Sequence, residues 1–359
     1  MKPRAPDYLL LSAVAVLVGV GLVMVLSASA YESEWDYGDP YYFFKRQLAW
    51  VFIGGMAAFL FSQIPYTRWQ RWSSFLLLAA LLSLFLVLIP GIGHVARGSR
   101  RWIELGVVQF QPSELSKLAL VTYLAFRIRA ERWSHLLLPF GLLGVTATLV
   151  LLQPDLGTAV SLALAVGAMV FARGLPWPRI LLLLLASLPL GYWLVFGEEY
   201  RRERFLAFLD PWKDPLGSGY HVIQSLYALG SGGLLGVGLG MSRQKYFYLP
   251  ERHTDFIFSI IGEELGFFLA LALVLLPFGI LAWRGYRLAM AVADPRAAML
   301  ATGLTSLLLG QALINLGVVT GSLPVTGIPL PFVSFGGSSL VVSLAAVGML
   351  LNISRYCRW

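Results

Sequence analysis

The chain has 359 residues, of which 58% are hydrophobic and 13% charged, about half the charged share of a soluble domain. Its mean hydropathy is +0.73 and its apolar residues come in long runs, which excludes a soluble enzyme, a disordered chain and a disulfide scaffold. The formal charge of +8 matches the basic cytoplasmic loops of membrane proteins, so no nucleic-acid partner is expected.

Each bilayer crossing needs roughly 20 apolar residues. Runs near 8–28, 47–64, 73–90, 113–129, 136–152, 156–172, 180–196, 255–283, 298–319 and 338–353 supply about ten. Lipid offers the backbone no partners, so these runs are helices; they lack the alternation of a transmembrane β-barrel. The expected fold is all-α: one polytopic domain over 1–359, with a large external loop between helices 7 and 8 at about 197–254. Lys2 and Arg4 before the first run, and Ala28-Ser29-Ala30 after it, resemble a cleavable signal. A signal core has about 7–15 residues and this run is longer, so it reads as a span. Segment 221–241 is long enough to cross but carries six glycines. It is read as a membrane-surface helix and turn inside the external loop.

Orientation follows the basic residues. With the N-terminus inside, every short inside segment is basic: Lys2 and Arg4; Arg68 and Arg71; Arg127, Arg129 and Arg132; Arg173 and Arg179; Arg284, Arg287 and Arg296; Arg355 and Arg358. Both termini are expected in the cytoplasm. The single cysteine, Cys357, excludes an internal disulfide, and His94, His135, His221 and His253 show no metal-ligand spacing.

Polar residues near membrane depth carry the functional signal, and four segments hold them, all mapping to the outer side. The first runs from Arg100 to Lys117. It contains Arg101, Trp102, Gln111, Pro112, Ser113, Glu114 and Lys117. Pro112 suits a first helical position, and Glu114 and Lys117 share one helix face. They read either as a structural ion pair or as a cationic site for an anionic lipid headgroup. The second is Gln153-Pro154-Asp155-Leu156-Gly157-Thr158, where Asp155 reads as a helix cap or as part of a site. The third is Glu251-Arg252-His253-Thr254-Asp255, opening the eighth span, with Glu263 and Glu264 deeper in. A carboxylate entering an apolar turn is either a cap or a base. The fourth, 320–339, holds Ser334, Gly336, Gly337 and Ser338 in a Pro- and Gly-rich stretch before the tenth helix. Irregular backbone at this depth is tolerated only in protein or against a cavity, and free amides there suit a phosphate.

Five ordered stretches resemble one family, the SEDS proteins (shape, elongation, division and sporulation) of bacterial cell-wall synthesis. They are R-W-I-E-L-G…Q-P-S-E-L-S-K at 101–117, Q-P-D-L-G-T at 153–158, the Gly-rich 217–240, L-P-E-R-H-T-D-F-I-F-S-I-I-G-E-E-L-G-F at 249–267 and T-G-I-P-L-P-F-V-S-F-G-G-S-S at 326–339. The resemblance spans nearly the whole chain. The short N-terminus and F-L-D-P-W-K-D-P at 208–215 resemble the elongation branch, though the division branch shares most motifs. Phe335 stands where many members carry Tyr, so a hydroxyl there is not essential.

The resemblance implies a peptidoglycan glycosyltransferase that polymerises lipid II at the outer face of the cytoplasmic membrane. It implies a class B penicillin-binding protein as crosslinking partner, among other membrane proteins of the elongation complex. The family's essential acidic residue falls on Asp255, the candidate general base. Lys117, Glu114, Arg101, Trp102, Gln111, Ser113, Asp155, Arg252, His253, Ser334, Gly336, Gly337 and Ser338 are the candidate substrate-binding residues. Lys117, Arg101 and Arg252 are the cations for the pyrophosphate leaving group, with or without a divalent ion such as Mg or Mn. The competing readings are a lipid II flippase and a scaffold for the penicillin-binding protein.

Overall fold

The computed structural model describes residues 5–96, 99–106, 108–128 and 133–357. Of the basic residues used for orientation, Lys2, Arg4, Arg129, Arg132 and Arg358 lie outside these. All ten expected spans fall on helices: α1 (Tyr8–Tyr37), α2 (Tyr42–Gln63), α3 (Tyr66–Leu86), α4 (Pro112–Arg127), α5 (Leu137–Leu151), α6 (Leu156–Ala172), α7 (Trp177–Phe196), α10 (Ile257–Ala270) continuing through a π-turn at Leu271–Leu275 into α11 (Leu276–Ala291), α12 (Pro295–Val319) and α13 (Gly337–Ser354). Among the described residues six of these are long and apolar enough to cross a membrane: α1, α3, α7, α10–α11, α12 and α13. Helices α5 and α6 are apolar but shorter. The two remaining spans carry charges, Lys45 and Arg46 in α2 and Glu114 and Lys117 in α4.

Helices α12 and α13 form the buried centre, while no described residue of α7 is buried. Small residues let the backbones approach, as in other membrane bundles. Gly303 of α12 sits where a Cβ would strike Val121 of α4 and Met169 of α6, and Gly348 of α13 lies on the backbone of Ala58 in α2. At one end of the bundle, Asp7 caps α1 and pairs with Arg284 Nε at 2.7 Å. At the same end the Tyr66 hydroxyl donates to Asp294 at 3.2 Å and Arg355 donates to Gln63 at 3.0 Å.

At the other end, the α3–α4 connection forms an antiparallel sheet that periodicity did not predict. Its order is β1 (Gly93–Ala96), β2 (Ser99–Leu105), β3 (Val108–Phe110), with Ile103 opposite both Gly93 and Phe110. The segment from 197 onward begins with an exposed helix, α8 (Glu199–Leu209), followed by α9 (Tyr220–Gly232).

Segment 221–241 does not cross, but neither does it lie on the surface. Helix α9 runs parallel to α10: His221 stacks on Phe256, the Ser225 and Ser259 hydroxyls meet at 2.7 Å, and Leu229 packs on Gly262. It therefore inserts beside α10 to a depth of about 20 Å, and residues 233–256 bring the chain back. The deep turn meets α10 where Gly266 leaves helical geometry, at φ 74° and ψ 178°. Helical bonding would join the Phe267 and Phe268 amides to the Glu263 and Glu264 carbonyls. Instead these amides donate to Gly233 O and Leu234 O, at 3.0 and 3.2 Å, while the carbonyls accept from Val237 and Gly238, both at 3.0 Å. A Cβ on Gly266 would collide with the Gly236 amide, and one on Gly236 with the Glu264 carbonyl.

This crossing predicts that Gly236→Val costs about 3 kcal/mol or more, lowering Tm in detergent by roughly 6–12 °C. Gly55, which has no atom near its missing Cβ, is the control: Gly55→Val should keep the wild-type Tm and a monodisperse peak. Equal Tm values for both variants would show the crossing to be loose.

Candidate active site

Asp255 stands at the end of the returning segment, two residues before α10 begins. Its carbonyl accepts from Asn315 Nδ2 at 2.7 Å, and the same amide donates to Ile328 O at 2.8 Å. One α12 side chain thus fixes both the Asp255 backbone and the Pro-rich segment 324–331. The Asp255 carboxylate faces Gly327, whose Cβ position lies 3.6 Å from Oδ2. Neighbouring Thr326 and Ile328 pack over Gly157 in the first turn of α6.

Two guanidiniums approach this place. Strand β2 carries Arg101 to the α5–α6 turn, where Nε donates to Gln153 O at 2.7 Å and a second nitrogen donates to Pro154 O. The strand pleat sends successive side chains to opposite faces, so Trp102 points away from that turn. From α8, Arg204 reaches Val325 O at 3.5 Å. It lines a crevice with Pro154, Leu156, Tyr200, Val325 and Thr326, whose outer wall includes Val195 of α7. Arg204 is exposed at the surface yet crowded by this concave wall. Desolvation there holds its guanidinium below the ordinary value; Tyr200 and Asp255 draw it up and Arg101 pushes it down. Arg204 therefore lies within electrostatic reach of both Asp255 and Arg101. Arg204 carried no sequence signal, because nothing in Tyr200-Arg201-Arg202-Glu203-Arg204 distinguishes one arginine before the fold aims it.

The other candidates are held elsewhere. Asp155 caps α6, its two oxygens accepting from the Thr158 amide at 3.1 Å and hydroxyl at 2.9 Å. Lys117 is buried in the bundle, 2.8 Å from Glu114 Oε1, while Glu114 Oε2 and the Ser113 hydroxyl are buried without a hydrogen-bond partner among the described residues. The Gln111 amide donates to the Ser338 hydroxyl at 3.1 Å, lacing α4 to α13. Ser334 donates to Thr254 O at 2.6 Å and accepts from the Leu330 amide at 2.8 Å. The Gly336 amide faces Gln47 at 3.5 Å, and Gly337 leaves room for the Trp50 ring. Arg252 and His253 turn towards Glu32 of α1.

Glu263 and Glu264 hold the inserted loop. Glu263 accepts from the Ser242 hydroxyl and the Arg243 amide. Glu264 accepts from Ser27 of α1 at 2.7 Å and pairs with Lys245 at 3.3 Å. Among the described residues no three His, Cys, Asp or Glu side chains gather as a metal site. The groups placed around Asp255 are guanidiniums, a donor set that does not fit a protein-held divalent ion, and no step below is routed through one.

A family model described as a cell cycle protein, of the FtsW, RodA and SpoVE type, matches residues 8–358. The chain is 45% identical to stage V sporulation protein E of Bacillus subtilis (strain 168), covering 100% of this chain and 99% of that protein. It is 45% identical to the probable peptidoglycan glycosyltransferase FtsW of Geobacter sulfurreducens (strain DL-1 / KN400), covering 97% of this chain and 95% of that one. Its fold matches a chain of a peptidoglycan synthase complex that coordinates polymerization and crosslinking, with a TM-score of 0.82 and 36% identity over 98% of each chain.

The Glu114–Lys117 pair makes its own prediction. Removing one partner of a buried pair costs about 3–5 kcal/mol, whereas removing both is far milder. Lys117→Met should lower Tm in detergent sharply, and Glu114→Gln/Lys117→Met should regain most of it. A double variant no more stable than Lys117→Met would show the two side chains to be uncoupled.

Proposed function

The chain belongs to the FtsW, RodA and SpoVE family of multi-pass membrane proteins, and from that premise we propose that it polymerises lipid II into glycan strands with Asp255 as general base. It is a peptidoglycan glycosyltransferase, as its FtsW relative is described. The observation that carries the mechanism is that Arg204, on the wall of the crevice, lies within electrostatic reach of both Asp255 and Arg101.

The acceptor sugar hydroxyl gives its proton to the Asp255 carboxylate as its oxygen attacks the donor's anomeric carbon. The bond from that carbon to the pyrophosphate breaks, and undecaprenyl pyrophosphate departs. Charge grows on the leaving oxygen, where Arg204 and Arg101 stand to stabilise it, the kind of preorganised electrostatics that supplies most of many rate enhancements. The polyprenyl tail lies in lipid along α7, in which no described residue is buried and whose Val195 contributes to the crevice wall.

The basic loops support an outward-facing site in the bacterial cytoplasmic membrane. Arg284, Arg296 and Arg355 gather with Asp7 and Asp294 at the end of the bundle away from Asp255, and the charge rule places that end, with both termini, in the cytoplasm. The likeness to a peptidoglycan synthase complex supports a class B penicillin-binding protein as partner. A role in elongation rests on the stretch 208–215. Complementation of rod-shape and division depletion strains tests it.

Asp255→Asn keeps the size and a hydrogen bond but not the base. It should cut lipid II polymerisation by the 10²–10⁴-fold typical of a lost general base, with Tm and partner binding unchanged. Arg204→Ala should lower kcat/KM for lipid II about tenfold or more. Both are read with labelled lipid II in detergent, where no barrier exists and a flippase or scaffold makes no strands. An Asp255→Asn protein polymerising at near the normal rate sinks the mechanism.

Topology is tested separately. In a Cys357→Ser background, Leu216→Cys should react with an impermeant maleimide from outside, and Ala293→Cys only after the membrane is opened. Reaction of both from one side overturns the outward assignment.

A further inference from the structure

We propose that Glu32, on α1, is a positioning residue for polymerisation, holding the 251–256 turn and hence Asp255 through Arg252 and His253; this rests on the reading of Asp255 as the base.

Glu32 Oε2 lies 2.9 Å from Arg252 Nη2 and 3.2 Å from His253 Nδ1. Neither approach has hydrogen-bond alignment, so the attraction is Coulombic, and for His253 it acts when the imidazole is protonated. Both partners are nearly enclosed, with side chains 4% and 7% exposed. Arg252 donates to Ala28 O at 3.3 Å and lies over the Phe247 ring at 4.6 Å. The acidic groups acting on it are Glu32 first, then Asp36 and Glu251. The His253 ring packs on Phe43 at 4.6 Å and on Phe335 at 5.7 Å.

Each residue from Arg252 to Asp255 is thus tied to another part of the fold. Arg252 and His253 are tied by side chain to α1. His253 O and Thr254 O accept from Phe335 N at 2.9 Å and Ser334 Oγ at 2.6 Å, and Asp255 O accepts from Asn315. The backbone ties fix the turn on one side. Glu32 supplies the charge that fixes the other, two and three residues from the reacting carboxylate. The side chains of Arg252 and His253 are spent on this contact, so they act on the chemistry through position.

The test uses the full-length protein in detergent with labelled lipid II. Glu32→Gln should lower kcat about tenfold or more while KM stays within about twofold, because the substrate contacts are untouched. The charge exchange Glu32→Arg/Arg252→Glu should recover rate relative to both single variants, including where a single variant folds poorly. A normal kcat in Glu32→Gln overturns the proposal. So does a rise in KM alone, which would make Glu32 a substrate contact, and so does a folded exchange variant no faster than its parents. Asp255→Asn, assayed alongside, separates the two readings. If it is active, the base assignment falls. If it is inactive while Glu32→Gln is normal, only the positioning role falls.

Discussion

Within lipid an unpaired amide or carbonyl has no water to turn to, and the half of this molecule that carries Asp255 is organised around that constraint. Helix α10 breaks at Gly266, which strands two amides and two carbonyls at membrane depth. The inserted segment 233–238 supplies the opposite set, so all four groups are satisfied. The exchange works only because glycines face each other at the crossing. It explains why this segment is rich in glycine and why it lies inside the bundle. It also explains the two adjacent glutamates. Glu263 and Glu264 carry the carbonyls that the loop caps, and their side chains grip Ser242, Arg243 and Lys245 on its return. A sequence that reads as a failed crossing is a plug whose backbone completes its neighbour's.

From that anchor the chain climbs to Asp255, and the ties grow more specific as it nears the site. The crossing sets depth, Glu32 with the two residues before Thr254 sets the turn, and Asn315 sets the Asp255 backbone. Asn315 belongs to α12, one of the two most buried helices. The residue proposed to meet a sugar hydroxyl within hydrogen-bond reach is therefore mounted on the best-packed part of the fold, as precise placement requires.

Much of this was legible in the residues. Apolar runs marked every span, because the bilayer demands a length that few other constraints impose. The motif segments marked the end of the bundle that carries Asp255, because polar groups at that depth are rare. What stayed hidden depends on contacts between distant segments. The sheet at 93–110 is short, and its pairing does not show as a periodicity. Segment 221–241 was recognised as a non-crossing stretch, but its insertion depends on a break in α10 that Gly266 alone did not announce. Arg204 and Glu32 sit in ordinary helical contexts, and only the packing of α8 and α1 gives them partners. Asp155 showed both of its readings in sequence, and the structure supplies the capping bonds to Thr158.

The crevice joins two regions of unequal packing. Asp255 is held by α1, α12 and the 324–335 segment, all rooted in the core. Arg204 comes from α8, and the outer wall comes from α7, in which no described residue is buried. Local stability follows buried contact, so the acid has a fixed address while the wall beside the cation has the weaker hold. That division suits the proposed substrate, which has two unlike ends. The sugars need exact registry with a base, whereas a long hydrocarbon tail needs only a lipid-facing wall that admits it sideways. Because Arg204 acts on Asp255 yet stands on the α7–α8 side, it is, on the proposed mechanism, the group through which the seating of the tail bears on the charge around the carboxylate.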